Sequence, residues 1–436
     1  MCMTWQHLAV SNALRLLNPL PASTDQWSPG LVTKPPTSHA ENENQTSRIE
    51  MKRFQSIDIV RGIVMIIMAL DHTRDILHLT SVSDSPTNLQ TTTPVLFFTR
   101  WVTHFCAPTF VFLSGVSAYV SVKRENDIPG TRRFLLTRGI WLVVLEFTLV
   151  NFGVWFDPHF NVFLFDVIAA IGVGFILLSL FLRASTRTIL ITGLAIIFLH
   201  NLSAFISVPQ TTLSVKILML LMTPGAIPFG KERLFVMGYP PIPWLGIMLT
   251  GFAAGRLFEL LSQERKALFA KIGLAALALF FVVRGINIYG DSFSWEKQKN
   301  GLFTFLSFIN VAKYPPSLVF CLLTLGVMFL LLSWAEQAQN NFMAIATVYG
   351  KVPLFYFLVH WYIIHPLMFL IVFLQGYKSS DLVFGTNLGR PKGISGVNLW
   401  HTYLIWVCVV ILLYPLCKWY GEYKERHKEK EWLRYL

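Results

Sequence analysis

Ile57-Asp58-Ile59-Val60-Arg61-Gly62-Ile63-Val64-Met65-Ile66-Ile67-Met68-Ala69-Leu70-Asp71-His72-Thr73-Arg74-Asp75 is the stretch on which the fold turns. Together with the residues up to 79 it has the length of a membrane-spanning helix, about 20 residues. It is apolar in the middle and charged at both ends. Similar runs follow near 95–122, 134–156, 161–182, 187–206, 241–259, 267–289, 315–335, 351–375 and 399–418, making about ten spans. The whole chain agrees: of 436 residues, 54% are hydrophobic and 14% charged, with a mean hydropathy of +0.53. A soluble domain carries roughly 25% charged residues. The composition therefore excludes a water-soluble enzyme, a disordered chain and a nucleic-acid-binding domain. It predicts an all-α polytopic membrane helix bundle with the lipid bilayer as its first partner.

The positive side chains give the orientation. The net charge of +12 would fit a phosphate-rich partner, but Lys and Arg cluster at alternate ends of the apolar runs. They stand at Arg48, Lys52 and Arg53, at Lys123, Arg124, Arg132 and Arg133, at Arg183 and Arg187, at Arg256, Arg265 and Lys266, and again from Lys418 to Arg434. The loops at 80–94 and 157–160 hold neither Lys nor Arg. Positive charge favours the cytoplasmic side, so both termini are expected there, as an even span count demands. The third and fourth runs, parted by little more than Asp157, Pro158 and His159, are expected to form a helical hairpin.

Three segments follow. Residues 1–50 are polar and rich in Pro, Ser and Thr, and lack the apolar core of a signal peptide, so a disordered leader is expected. Residues 51–418 form the transmembrane domain, and 419–436 a charged, helical cytoplasmic tail. The segment 207–240, broken by Pro209, Pro224, Gly225, Pro228 and Pro240, reads as a loop or an interfacial cap. No pair of the five cysteines has metal-ligand spacing, so neither a disulfide frame nor a metal site is expected.

Ionisable groups at membrane depth cost about 2.5–3.5 kcal/mol each on insertion scales, so they are where function is sought. The first span carries the densest set. At 100° per residue, Arg61 and His72 differ by only about 20° around the helix and lie about 16 Å apart along it. Asp58 and Asp75 flank the same stripe, with Met65 and Met68 between. Helix-end snorkelling explains Arg61 and Asp58 equally simply. In the second span Arg100 and His104 share a face, one turn before Pro108. Glu146, Asp166 and Arg284 are further candidates, each also readable as an ion-pair or hydrogen-bond partner between helices. Given the topology, His72, His104, Glu146, Asp166 and Arg284 fall at one level in the outer half of the bilayer, as the lining of one polar cavity would. His360 and His365, five residues apart, point about 140° away from each other on a regular helix, so at most one faces that cavity. The aromatic residues around them read as packing.

The chemistry of this set is that of a base held by a carboxylate, with a guanidinium nearer the cytoplasm that suits phosphate. His72 is the candidate base or transient acyl carrier, Asp71 or Asp75 orients it, and His104 lies nearby. Arg61 and Asp58 are the candidates for holding a donor; Arg74, Arg100, Glu146, Asp166, Arg284, His360 and His365 are those for the acceptor. The same residues would also serve a proton relay in a transporter.

The run Arg53-x-x-Ser56-x-Asp58-x-x-Arg61-Gly62, followed by Asp71-His72-Thr73-Arg74-Asp75, resembles bacterial heparan-α-glucosaminide N-acetyltransferase-like proteins. So do Thr103-His104-Phe105-Cys106-Ala107-Pro108, Tyr239-Pro240-Pro241-Ile242-Pro243-Trp244, Lys313-Tyr314-Pro315-Pro316-Ser317 and the run holding His360 and His365. The resemblance implies a transmembrane acyltransferase that uses acyl-CoA, typically acetyl-CoA, as co-substrate, with no tightly bound cofactor. It implies a carbohydrate-like acceptor on the outer side and a place in a bacterial inner membrane. A more distant likeness to bacterial enzymes that O-acetylate surface sugars picks out Arg61 and His72, an Arg-Gly and a His eleven residues after the Arg. The lysosomal member has its active histidine in the loop before the second helix. Residues 79–103 contain none here, so His72 or His104 takes that role. Three functions stay open: an acyltransferase, which the motifs favour; a proton-coupled small-solute transporter or flippase; and a non-catalytic membrane partner. Whether the chain forms a homo-oligomer is also open.

Overall fold

The computed structural model describes residues 54–205, 212–230, 232–338 and 340–435. The expected leader 1–50 and the flanking cations Arg48, Lys52 and Arg53 lie outside them. In chain order the bundle opens with α1 (Gln55–Leu77), α2 (Pro94–Glu125) and α3 (Ile128–Trp155). Strand β1 (Val162–Phe165) then leads into α4 (Val167–Phe181) and α5 (Thr186–Leu199). A short α6 (Leu213–Leu220) precedes β2 (Gly225–Phe229) and β3 (Arg233–Met237). After these come α7 (Pro241–Ala254), α8 (Ser262–Ile286), α9 (Gly301–Ile309), α10 (Leu318–Ala335) and α11 (Asn341–Lys351). The chain closes with α12 (Pro353–Leu374), the two-residue strands β4 (Leu382–Val383) and β5 (Arg390–Pro391), and α13 (Leu399–Arg426).

Each of the ten apolar runs holds a helix, and the helix starts carry the local chemistry that sets them. Thr93 caps α2 through Leu96 N, with Pro94 in the first turn; Ser185, Ser317 and Asn398 cap α5, α10 and α13 in the same way. Seven described helices are long and apolar enough to cross a membrane, so this is an integral membrane protein. The remaining three runs differ for physical reasons. α1 carries Asp58, Arg61, Asp71, Arg74 and Asp75, while α4 and α7 have only 15 and 14 residues. Burial sorts the helices: 78% of the apolar window of α10 is inside the bundle, against 17% for α8 and α13, whose outer faces are left for lipid.

The polar α1 is accommodated by enclosure. It packs against α2, α10, α11, α12 and α13. The contact with α11 is backbone to backbone: a Cβ on Gly62 would stand 1.7 Å from the Ala346 carbonyl oxygen, and one on Gly350 would stand 1.8 Å from that of Asp58.

The connections depart most from the sequence reading. Segment 207–240 supplies α6, β2 and β3, and β3 pairs parallel with β1 (Val162 opposite Leu234) and antiparallel with β2. α3 and α4 pack along each other as the expected hairpin, but the connection is longer than read: residues 156–166, with β1 among them, separate the two helices. Asn151 holds that excursion: its Nδ2 donates to the Val162 carbonyl and its Oδ1 accepts from Leu164 N, both at 3.0 Å. In α3, residues Glu146–Val150 are π-helical, a widening common near functional groups. The charged tail continues α13 to Arg426, then turns and folds back, burying Leu433.

Candidate functional site

His72 meets a second histidine rather than a carboxylate. Its Nδ1 lies 2.6 Å from His360 Nε2. The His360 Nδ1 in turn lies 3.2 Å from the Tyr356 carbonyl oxygen, one turn earlier on α12. A carbonyl only accepts, so His360 Nδ1 carries its hydrogen; in the neutral ring His360 Nε2 then accepts, and His72 Nδ1 must donate. The chain of donors leaves a lone pair on His72 Nε2, which has no protein partner among the described residues. Trp361 fixes the ring by stacking on it, centroids 4.2 Å apart and planes at 19°. That contact places a π face beside any positive charge the imidazole takes up.

Asp71, expected as a partner of His72, is committed elsewhere. Its Oδ1 accepts from Arg74 Nη2 at 2.8 Å and its Oδ2 from Arg100 Nη1, while Arg74 Nη2 also reaches Asp75 Oδ1 at 2.6 Å. Adjacent residues point about 100° apart on a helix, so Asp71 cannot follow His72 toward α12. Arg74 is buried, while the Asp75 side chain beside it is 45% exposed. Around it stand groups whose charges act on one another. Lys313, from the loop before α10, acts on Asp71, His72, Asp75, His104 and Asp166. Asp166 opens α4, and buried Glu146 accepts from Ala169 N at 2.8 Å in the same helix turn. His104 is buried with Nδ1 unpartnered among the described residues, its edge toward Phe320.

Below His72 lies a cavity of about 310 Å³ between α1, α2, α3, α4 and α12. Its walls include Met65, Leu142, Ile171, Phe175 and Leu354; its basic lining comes from Arg61, Arg138, Lys351 and Lys424. Arg61 donates to the Leu113 carbonyl at 3.0 Å and to Ser117 Oγ at 2.5 Å, and Lys351 pairs with Glu425 at 2.8 Å. Phe357 adjoins both the cavity and the histidines: it lines the cavity, and its ring centroid is 6.2 Å from that of His72 and 5.5 Å from that of His360. Arg61 lines the cavity and His72 lies beyond Phe357, so the two do not line a single open chamber.

Some expected residues are not brought here. Arg284 is held by Asp291 at 2.9 Å and by the carbonyls of Phe293, Phe308, Ser307 and Asn310, a clamp on the segment 287–310 that includes α9. His365 turns away from His360, binds the Leu388 carbonyl at 3.0 Å and stacks on Phe156. Asp58 is outside the cavity lining, its backbone against Gly350. Other residues were not singled out in advance. Trp361 and Phe357 were hidden in an aromatic run, Arg138 among the cations of α3, and Lys313 in a Pro-rich loop, where it is buried over the rings of Tyr239 and Tyr314. Among the described residues no cluster of three or more His, Cys, Asp or Glu could hold a metal ion.

No curated protein matches the chain. A family model described as heparan-alpha-glucosaminide N-acetyltransferase, catalytic, matches residues 53–289, more than half of the sequence. The match takes in Arg61, the Asp71–Asp75 cluster, Arg100, His104, Arg138 and Asp166, and ends before Lys313 and His360. By that match, the chain belongs to the heparan-α-glucosaminide N-acetyltransferase catalytic family.

Proposed function

We propose that the protein is an acyltransferase that moves an acyl group, in the simplest case acetyl, from acyl-CoA to a hydroxyl or amine of a sugar-type acceptor. The observation that carries the reading is the free lone pair at His72 Nε2, set by the His72–His360–Tyr356 relay and parted by Phe357 from a cavity lined with four cations. Arg61, Arg138, Lys351 and Lys424 suit the phosphates of the donor, and the apolar walls suit the uncharged arm that carries the thioester. The donor enters from the cytoplasm and the acceptor from the outer side, across a bacterial plasma membrane.

In the transfer, the acceptor O–H or N–H gives its proton to His72 Nε2 while its oxygen or nitrogen bonds to the thioester carbonyl carbon. The C–S bond then breaks, and the coenzyme A thiolate takes the proton back from His72. The imidazolium that exists in between faces Trp361, with the Asp71 carboxylate as the next residue. Arg74 and Arg100 hold Asp71 charged, while Lys313, Asp166 and Glu146 border the acceptor side.

The test uses the purified full chain in detergent with radiolabelled acetyl-CoA and a panel of sugar acceptors. Release of free coenzyme A and labelling of an acceptor are expected, reduced about 10²–10⁴-fold in His72→Ala. No acetyl-CoA binding, together with solute flux in liposomes, would overturn the reading in favour of a proton-coupled transporter.

A further inference from the structure

The last residues of the chain touch the cavity walls from outside. Beyond α13 the chain turns at 427–430, and Glu431–Arg434 form a 3-10 turn lying along α3 and the end of α2. Leu433 is buried there. Arg434 Nη2 pairs with Glu125 Oε1 at 2.5 Å, and its guanidinium lies 4.9 Å above the Phe134 ring. Tyr435 meets the same ring at 5.6 Å, and its hydroxyl stands 3.0 Å from Thr137 Oγ1. Arg138 Nη1 donates to the backbone carbonyl of Arg434 at 2.7 Å. Phe134 and Arg138 are both cavity residues, as is Lys424 on the helix leading into the turn.

We propose that Glu431–Tyr435 is a strap that sets the Arg138 guanidinium at the mouth of the cavity for the phosphates of the donor. The inference rests on the acyl-CoA reading of that cavity. An arginine side chain is mobile unless tethered, and fixing its fork in advance raises what it contributes to an anion. The strap supplies such a tether through a main-chain oxygen, and the Phe134 and Phe175 rings hold the guanidinium from its faces at 5.8 and 5.9 Å. The Arg434–Glu125 pair has a second effect: it occupies a carboxylate of the same helix end that would otherwise repel the donor. Arg434 and Tyr435 are therefore positioning residues, acting through Arg138 and Phe134.

The experiment measures KM and kcat for acetyl-CoA with wild type, Arg434→Glu, Glu125→Arg and the double charge swap. Arg434→Glu should raise KM about tenfold, the equivalent of one charge-assisted hydrogen bond, with kcat changed less than about twofold. The swap should restore most of the loss, which a general weakening of the fold would not do. If Arg434→Glu does not survive purification, Tyr435→Ser, which loses the Phe134 and Thr137 contacts, carries the same test with a smaller rise. An unchanged KM, a lower KM, or a swap that restores nothing overturns the strap. A wild-type protein that neither binds nor turns over acetyl-CoA overturns instead the donor reading beneath it.

Discussion

Replacing Asp71 by asparagine keeps the side chain's shape and removes the charge that two guanidiniums share. Arg74 retains Asp75 at 2.6 Å, whereas Arg100 has no other carboxylate partner among the described residues. Taking one member from a buried ion pair costs about 3–5 kcal/mol, because the remaining charge is stranded. Here the Arg100 side chain is 15% exposed and Arg74 only 2%, so partial hydration of Arg100 and the surviving Asp75 bond put the cost at the lower end, about 3 kcal/mol. At about 1 °C per kcal/mol for a chain this long, the melting temperature in detergent should fall by about 3 °C. Thiol-reactive dye labelling of the buried Cys106, Cys321 and Cys417 during heating reads the transition. Asp71→Asn combined with Arg100→Met should cost no more than the first change alone, since the stranded cation is gone. Additive losses, or a single-variant loss under about 1 kcal/mol, would refute the view that this network is a closed electrostatic unit.

Two further outcomes are expected. Gly62→Ala should force α1 and α11 apart, because its Cβ would meet the Ala346 carbonyl at 1.7 Å. The loss should be about 3 kcal/mol, at the top of the overpacking range, and an unshifted melting curve would show that the helices are not packed this way. In the segment 287–310, burial pushes the Asp291 carboxyl up to about 6 from 3.8, against the pull of Arg284. The folded state therefore holds that proton more tightly than the unfolded chain. Its stabilising effect is complete below about pH 4 and is lost as pH rises through 6, by no more than about 3 kcal/mol. Asp291→Asn should remove that part of the pH dependence from thermal melting between pH 4 and 7, and an unchanged profile would count against it.

Length and polarity made the helices legible, because a run of apolar residues in lipid has little choice but to close its own hydrogen bonds. The run read at 351–375 starts at the α11–α12 break; what went unread was α11 itself, eleven residues of mixed polarity at Asn341–Lys351. The β1–β3 pairing joins segments about seventy residues apart, and short strands with irregular polarity leave no periodic signal. At the site, helical periodicity singled out Arg61 and His72. It carries no information about a partner 288 positions away, so the His72–His360 contact was out of reach. The charges misled in one respect: a carboxylate next in sequence to a histidine looks like its natural support, yet α1 sends the two side chains toward different neighbours. Arg284 shows the converse, since a lone cation inside a helix gives no hint that five carbonyl and carboxylate partners await it in the segment that follows.

Phe357 adjoins both the cavity and the histidines, and this bears on how a membrane survives having such a protein in it. A pore wide enough to pass a coenzyme would discharge the cell's ion gradients. On the proposed acyl-CoA reading, the aromatic ring beside the basic cavity and the histidines would serve as an airlock: a short acyl group would slip past its edge while the bulky charged carrier stayed where it entered.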